Sequence, residues 1–121
     1  MPDQGIYHPS IPIVTTFDPP PRWRVHSIIG PCWGITVRSR SIGGQFVAGL
    51  ESMVGGEVTM YTELANTSRN EALQRLEQHA IALGANMVLA MRFDSSDLMS
   101  NTNEIIAYGT AVIVASEEGQ S

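Results

Sequence analysis

The run that most constrains the fold spans residues 68–94, where a helical stripe, a stop signal and an apolar strand follow one another directly. Arg69, Leu73, Leu76, Ala80 and Leu83 recur at alternating spacings of four and three, which puts them on one stripe of an α-helix. Asn70, Glu71, Gln74, Glu77 and Gln78 take the wet remainder. Ser68, followed three residues later by Glu71, has the spacing of a capping box, in which hydroxyl and carboxylate each satisfy an orphan backbone N–H. Gly84 closes the helix in the left-handed conformation that costs glycine nothing, and Asn86 suits the turn that follows. Residues 87–94 then set Met87, Leu89, Met91 and Phe93 against Val88, Ala90 and Arg92. A strand apolar on nearly both faces is one covered on both sides. In a chain of 121 residues a subunit interface is the expected second cover.

That length, with 43% hydrophobic residues, supports one domain with a modest core. The net charge is −5, and all seven basic residues are arginines. A surface of that sign repels phosphate backbones, so nucleic acid is not an expected partner. Cys32 is the only cysteine, which rules out an intramolecular disulfide and a thiolate pair and suits a reducing compartment. No segment approaches eighteen apolar residues and no signal pattern opens the chain, so the expectation is a cytoplasmic protein with no membrane partner.

Prolines at 2, 9, 12, 19, 20 and 21 exclude a helix from the start of the chain. Residues 1–10 read as a flexible arm, 11–115 as the single domain and 116–121 as a polar tail. Residues 11–17 suit a short edge strand with Pro12 facing away from the ladder. Residues 23–37 alternate as a strand interrupted by Gly30, Pro31 and Gly34, which predicts a bulge or bend there with Cys32 and Trp33 on it. Phe46, Val47, Leu50, Met53 and Val54 predict a short second helix over 42–54, ended by Gly55 and Gly56. Residues 95–103 read as a polar hairpin loop, and 104–114 as the last strand. One face of that strand is small at its centre (Ala107, Gly109, Ala111), which lets the amphipathic helix come close.

Chemistry-bearing patterns are sparse. Cys32, His8, His26 and His79 are the soft or imidazole donors, and none is paired at CxxC, HxH or HxxxH spacing. Cys32, His26 and His79 are the metal candidates, against a plain reading of a buried hydrophobe and structural histidines. Asp94 and Asp97 flank the polar loop and could hold a hard cation or act as an acid and base pair, though ordinary turns also look this way. No serine has a GxSxG setting and no glycine run matches a phosphate loop, so no catalytic residue is assigned. Tyr61 and Arg69, eight apart, would share a helix face and, with Asp94, could line a pocket between subunits; an inter-helix or intersubunit hydrogen bond is the more ordinary account and the favoured one. In a ring, Arg38, Arg92 or His79 would be gathered once per copy into a symmetric site.

Several landmarks together resemble the YbjQ-like family, small bacterial proteins described as putative heavy-metal-binding. They are IVTT at 13–16, VGGE at 54–57 followed by Tyr61, Arg69 with EAL at 71–73, LGAN at 83–86 and YGTAV at 108–112. The resemblance covers residues 13–114. It implies an α+β fold of the dodecin-like class, an antiparallel sheet curled around one long amphipathic helix, with the helix starting near Glu57. It also implies a closed homo-oligomer, notably a pentamer, and a divalent or soft transition metal as the cofactor to test. On this reading the protein is a non-enzymatic homo-oligomeric binder; the alternative is a small-molecule binder or enzyme with its site between subunits.

Overall fold

The structure, a computed structural model, describes residues 7–39, 57–99 and 102–117. Its elements are β1 (Trp23–Ser39), α1 (Glu57–Ala82), β2 (Met87–Met99) and β3 (Thr102–Ser116). The three strands form one antiparallel sheet in the order β1-β3-β2, and α1 packs on it chiefly against β1 and β3. The α+β class is therefore as expected. The second helix expected over 42–54 lies outside the described residues.

The helix starts at Glu57, as the family resemblance implies, and Ser68 stands in mid-helix and 5% exposed, so the capping box is overturned. Its hydroxyl instead accepts a hydrogen bond from Arg38 Nε at 3.2 Å. The buried stripe keeps Leu76 and Ala80 of the expected one and shifts by one residue only in its first half, onto Ser68 and Ala72. Ser68, Ala72, Leu76 and Ala80 face the sheet, while Arg69 and Leu83 are exposed. The cause is the approach of β1: a Cβ on Gly34 would run into the helix backbone at Ala72, Arg75 and Leu76, so small side chains must face it. Ala107 and Ala111 on β3 are buried in the same cluster as Cys32, Ala72, Leu76, Ala80, Ala85 and Val88. The small face predicted for the last strand is thus the helix face. Burying Leu76 fully contributes roughly 1.5–3 kcal/mol.

The irregularity of β1 reaches Gly30, as predicted, through a shift between Ile28 and Gly30, but it begins earlier, between Val25 and Ser27, and the pairing is regular from Gly30 onward. Gly30 has φ 141°, a conformation L side chains rarely adopt, whereas Gly34 is needed for space. The hairpin is tighter than predicted. Residues 95–99 and 102–103 are strand, in register from Ser95 with Ile105 to Met99 with Thr102. Turn-forming residue types are held there by cross-strand hydrogen bonds, which override local preference.

At its start β2 is buried on both faces, at Met87, Val88 and Leu89. The second cover belongs to the chain itself: Met87, Leu89, Val112 and Val114 cluster with Val14 and Val25 packed against them. The expected edge strand exists as a parallel bridge between Ile13 and Val88. Pro12, which lacks an N–H, contributes its carbonyl to Val88 N at 3.0 Å.

Candidate functional site

Polar contacts concentrate where residues 7–16, here called the strap, cross α1 and run along β2. Glu77, assigned by periodicity to the wet face, is only 4% exposed. Its Oε1 accepts the Tyr7 hydroxyl, and its Oε2 accepts the N–H and hydroxyl of Ser10 and the N–H of Ile11, the last at 3.1 Å. Asn70 Oδ1 accepts Tyr7 N–H at 3.2 Å. Tyr7 to Ser10, expected as part of a loose arm, are therefore docked. A buried carboxylate is tolerable only with donors of this kind around it. No sequence signal marked Glu77, because its partners lie 66 to 70 residues away.

Farther along the strap, Arg92 Nη1 donates to the carbonyls of Thr15 at 2.9 Å and Met91 at 2.8 Å, and its guanidinium lies 5.6 Å from the centroid of Phe17. An open cavity of about 450 Å³ is lined there by Thr15, Met91, Arg92 and Phe93. Arg69 approaches Phe93 from the helix, 6.0 Å from the ring centroid. Asp94 lies on β2 rather than in a loop, with Oδ1 accepting Ser95 N–H at 2.8 Å. A second open cavity, about 250 Å³, is lined by Ser95, Ser96, Asp97 and Asn103 at the polar end of the hairpin. Tyr61 lies within α1.

The outer edge of β1 is closed by helix side chains four residues apart. His79 Nδ1 accepts Trp33 N–H at 3.1 Å, and Arg75 Nη1 donates to the Ile35 carbonyl at 2.6 Å. The Trp33 and His79 rings meet edge-on with centroids 4.5 Å apart. Covering an edge in this way blunts unwanted strand pairing. Arg38 bridges to Glu71 one turn nearer the start of the helix than Arg75. Thr36 Oγ1 is buried beside them without a hydrogen-bond partner among the described residues.

The metal candidates do not converge. Cys32 is wholly buried, donates to the Gly109 carbonyl at 3.6 Å, and has its thiol pushed up to about 11 by burial, which keeps it a protonated core group at neutral pH. His79 has spent Nδ1 on Trp33, and His26 stands exposed on β1. Among the described residues no three His, Cys, Asp or Glu side chains gather to hold an ion, and this donor set does not fit a heavy metal within one chain.

The face of the sheet away from α1 is different in kind. Register aligns Trp33, Tyr108 and Arg92 in one row and Ile35, Ile106 and Asp94 in the next, with Val37 beyond them opposite Glu104. Trp33, Tyr108 and Val37 are 46%, 42% and 52% exposed.

The described residues thus define a small α+β scaffold, a three-stranded sheet clasping one helix and strapped by its own N-terminal segment. Residues 12–115 match the YbjQ family, described as "Putative heavy-metal-binding", and the chain belongs to that family. It is 52% identical over 101 residues to a UPF0145 protein of Picrophilus torridus, covering 84% of this chain and 86% of that one. It is 44% identical over 106 residues to a UPF0145 protein of Bradyrhizobium sp., covering 88% and 95%. Such relatives are archaeal as well as bacterial, a wider range than the bacterial family expected. A crystal structure from Pediococcus pentosaceus, described as a protein of unknown function of the DUF74 family, superposes with a TM-score of 0.57 at 11% identity over 87% of this chain and 98% of that one. That likeness shows the fold alone. No described helix is long and apolar enough to cross a membrane.

Proposed function

We propose that the chain is a non-enzymatic subunit of a closed, dodecin-like homo-oligomer, a pentamer as the family resemblance implies, whose ligand is held between copies. The observation that carries this reading is the exposed apolar ladder of Trp33, Val37 and Tyr108 on the sheet face away from α1. Arg92, Asp94 and Glu104 flank that ladder by register. An apolar centre with a charged rim is the anatomy of a subunit interface, and cyclic closure would bring one Arg92 and one Asp94 per copy together. The free Cys32 thiol suits a reducing cytoplasm.

Light scattering and native mass spectrometry test the assembly. The wild type is expected as a single closed oligomer, and Trp33→Ser with Tyr108→Ser as a folded smaller species. A wild-type monomer at micromolar concentration would overturn the reading. A divalent or soft transition metal enters only through donors pooled from several copies, such as exposed His26 and the Nε2 of His79. Calorimetric titration of the oligomer with zinc, copper and nickel decides that, with loss of binding in His26→Ala and His79→Ala expected.

A further inference from the structure

The strap is held by contacts that do not depend on which chain supplies it. Its first half is anchored by Glu77, which takes the main-chain N–H groups of Ser10 and Ile11 and the hydroxyls of Tyr7 and Ser10. Its second half adds a strand to the edge of β2. Val14 N donates to Val88 O at 2.9 Å, while Val88, Met91 and Ala90 donate to the carbonyls of Pro12, Val14 and Thr16 at 3.0, 3.0 and 2.8 Å. The bulge between Leu89 and Arg92, with Ala90 at φ 56°, turns two successive N–H groups toward the strap. Ile11 and Ile13 pack against the core cluster beside Leu73. Helix α1 and strand β2 scarcely touch each other directly, so the strap fills a groove between them. Without an occupant that groove would hold a buried carboxylate and an unpaired strand edge.

The connection from strap to sheet is stiff and carries a strained residue. Prolines 19, 20 and 21 stiffen it, and Arg22 sits at φ 74°, in the region that disfavours a side chain. Its far end is fixed, with Glu117 N donating to Arg22 O at 2.9 Å and Trp23 N to Pro20 O at 3.2 Å. A stiff, strained connector beside an acceptor of main-chain groups is the circumstance in which identical segments exchange between copies.

We propose that the groove between α1 and β2 is a strand acceptor clamped by Glu77, and that it takes residues 7–16 of a second copy in place of its own. Recognition is by β-augmentation: main-chain hydrogen bonds hold the segment, and alternate side chains set its identity. The groove therefore selects an extended segment with a hydroxyl at the Ser10 position and apolar residues at the Ile11 and Ile13 positions. A second copy carries that segment by construction. The groove shares only Arg92 with the exposed sheet face, so Glu77→Gln and Trp33→Ser let the two readings fail separately.

The test uses a fluorescently labelled peptide of residues 7–17 and the full chain, read by anisotropy. In wild type the tethered strap competes at an effective concentration on the order of millimolar, so the peptide binds weakly. Tyr7→Phe with Ser10→Ala removes two of the strap's hydrogen bonds to Glu77 and leaves the groove intact. That double variant is expected to bind the peptide at 1:1 and about tenfold or more tighter than wild type. Adding Glu77→Gln should remove most of this binding, and Arg92→Gln, which loosens the Thr15 contact, should weaken it less. Hydrogen exchange reads the strap independently: residues 10–14 speed up in the double variant while β1–β3 pairing stays protected. Failure of the double variant to bind up to about millimolar peptide, equal binding by wild type, or binding indifferent to Glu77→Gln each overturns the proposal. A wild-type oligomer that persists alongside such a failure leaves the sheet-face assembly standing.

Discussion

The two faces of the sheet are built from alternate residues of the same strands, yet they obey opposite rules. Toward α1 the chain presents Cys32, Gly34, Thr36, Ala107 and Ala111, all buried. Away from it come Trp33, Ile35, Val37, Ile106 and Tyr108, larger and partly or half exposed. The small face lets a helix backbone lie almost on a strand backbone, where close packing makes each added atom costly. Among the described residues no helix lies on the large face: Val14 and Val25 cover it at Val112 and Val114, and His79 meets the Trp33 ring at its edge. Close helix packing thus rests on the smaller side chains, while Trp33, Val37 and Tyr108 stay about half exposed.

The largest effect on the contrast between the faces is expected from Gly34→Ala. Its methyl meets backbone atoms of α1, which no rotamer change relieves, so a loss of about 3 kcal/mol or more is expected in urea unfolding. A loss near zero would mean that the helix is not seated on β1 as described.

The next effect is on pH dependence. Burial raises the Cys32 thiol from 9.0 to about 11, so below pH 9 the group is protonated in folded and unfolded chains alike and its full contribution is present. Between pH 9 and about 11 the unfolded chain ionises and the folded one does not, so stability falls by roughly 1.4 kcal/mol per pH unit. Cys32→Ala should lose this slope relative to wild type. Native Cys32 should also resist thiol reagents at neutral pH, whereas rapid labelling would place it outside the core.

Thr36→Val tests the same face with the opposite sign. It keeps the shape and removes a buried hydroxyl without a partner among the described residues, so stabilisation by about 1 kcal/mol is expected from thermal unfolding. A loss instead would reveal a partner for Oγ1. The smallest effect belongs to the outward face: Val37→Thr, at a half-exposed site, should change the stability of the subunit by no more than about 0.5 kcal/mol. A core-sized loss there would erase the contrast between the faces.

Periodicity read the elements well where burial follows a simple period. The helix end at Gly84, the last strand with its small face and the doubly apolar start of β2 all appear in the structure. It misread places where a distant segment changes the environment. Glu77 looked wet because a carboxylate on the flank of a helix usually is; the strap that buries it lies far away in the chain. Arg69 looked part of the stripe, but the close approach at Gly34 puts Ala72 in the buried row beside the expected Leu76 and Ala80. The candidate metal residues could be named from residue type, yet only coordinates show Cys32 as a core thiol and His79 as an edge cap.

The class of fold and the family are legible in the chain alone, because helix period, strand alternation and a few short motifs are local properties. Tertiary structure alone decided which residues are buried, what covers the second face of β2, and that a single carboxylate holds the N-terminal segment in place. Those outcomes depend on segments far apart in the chain meeting in space, and burial and hydrogen-bond partners are properties of that meeting rather than of any local pattern.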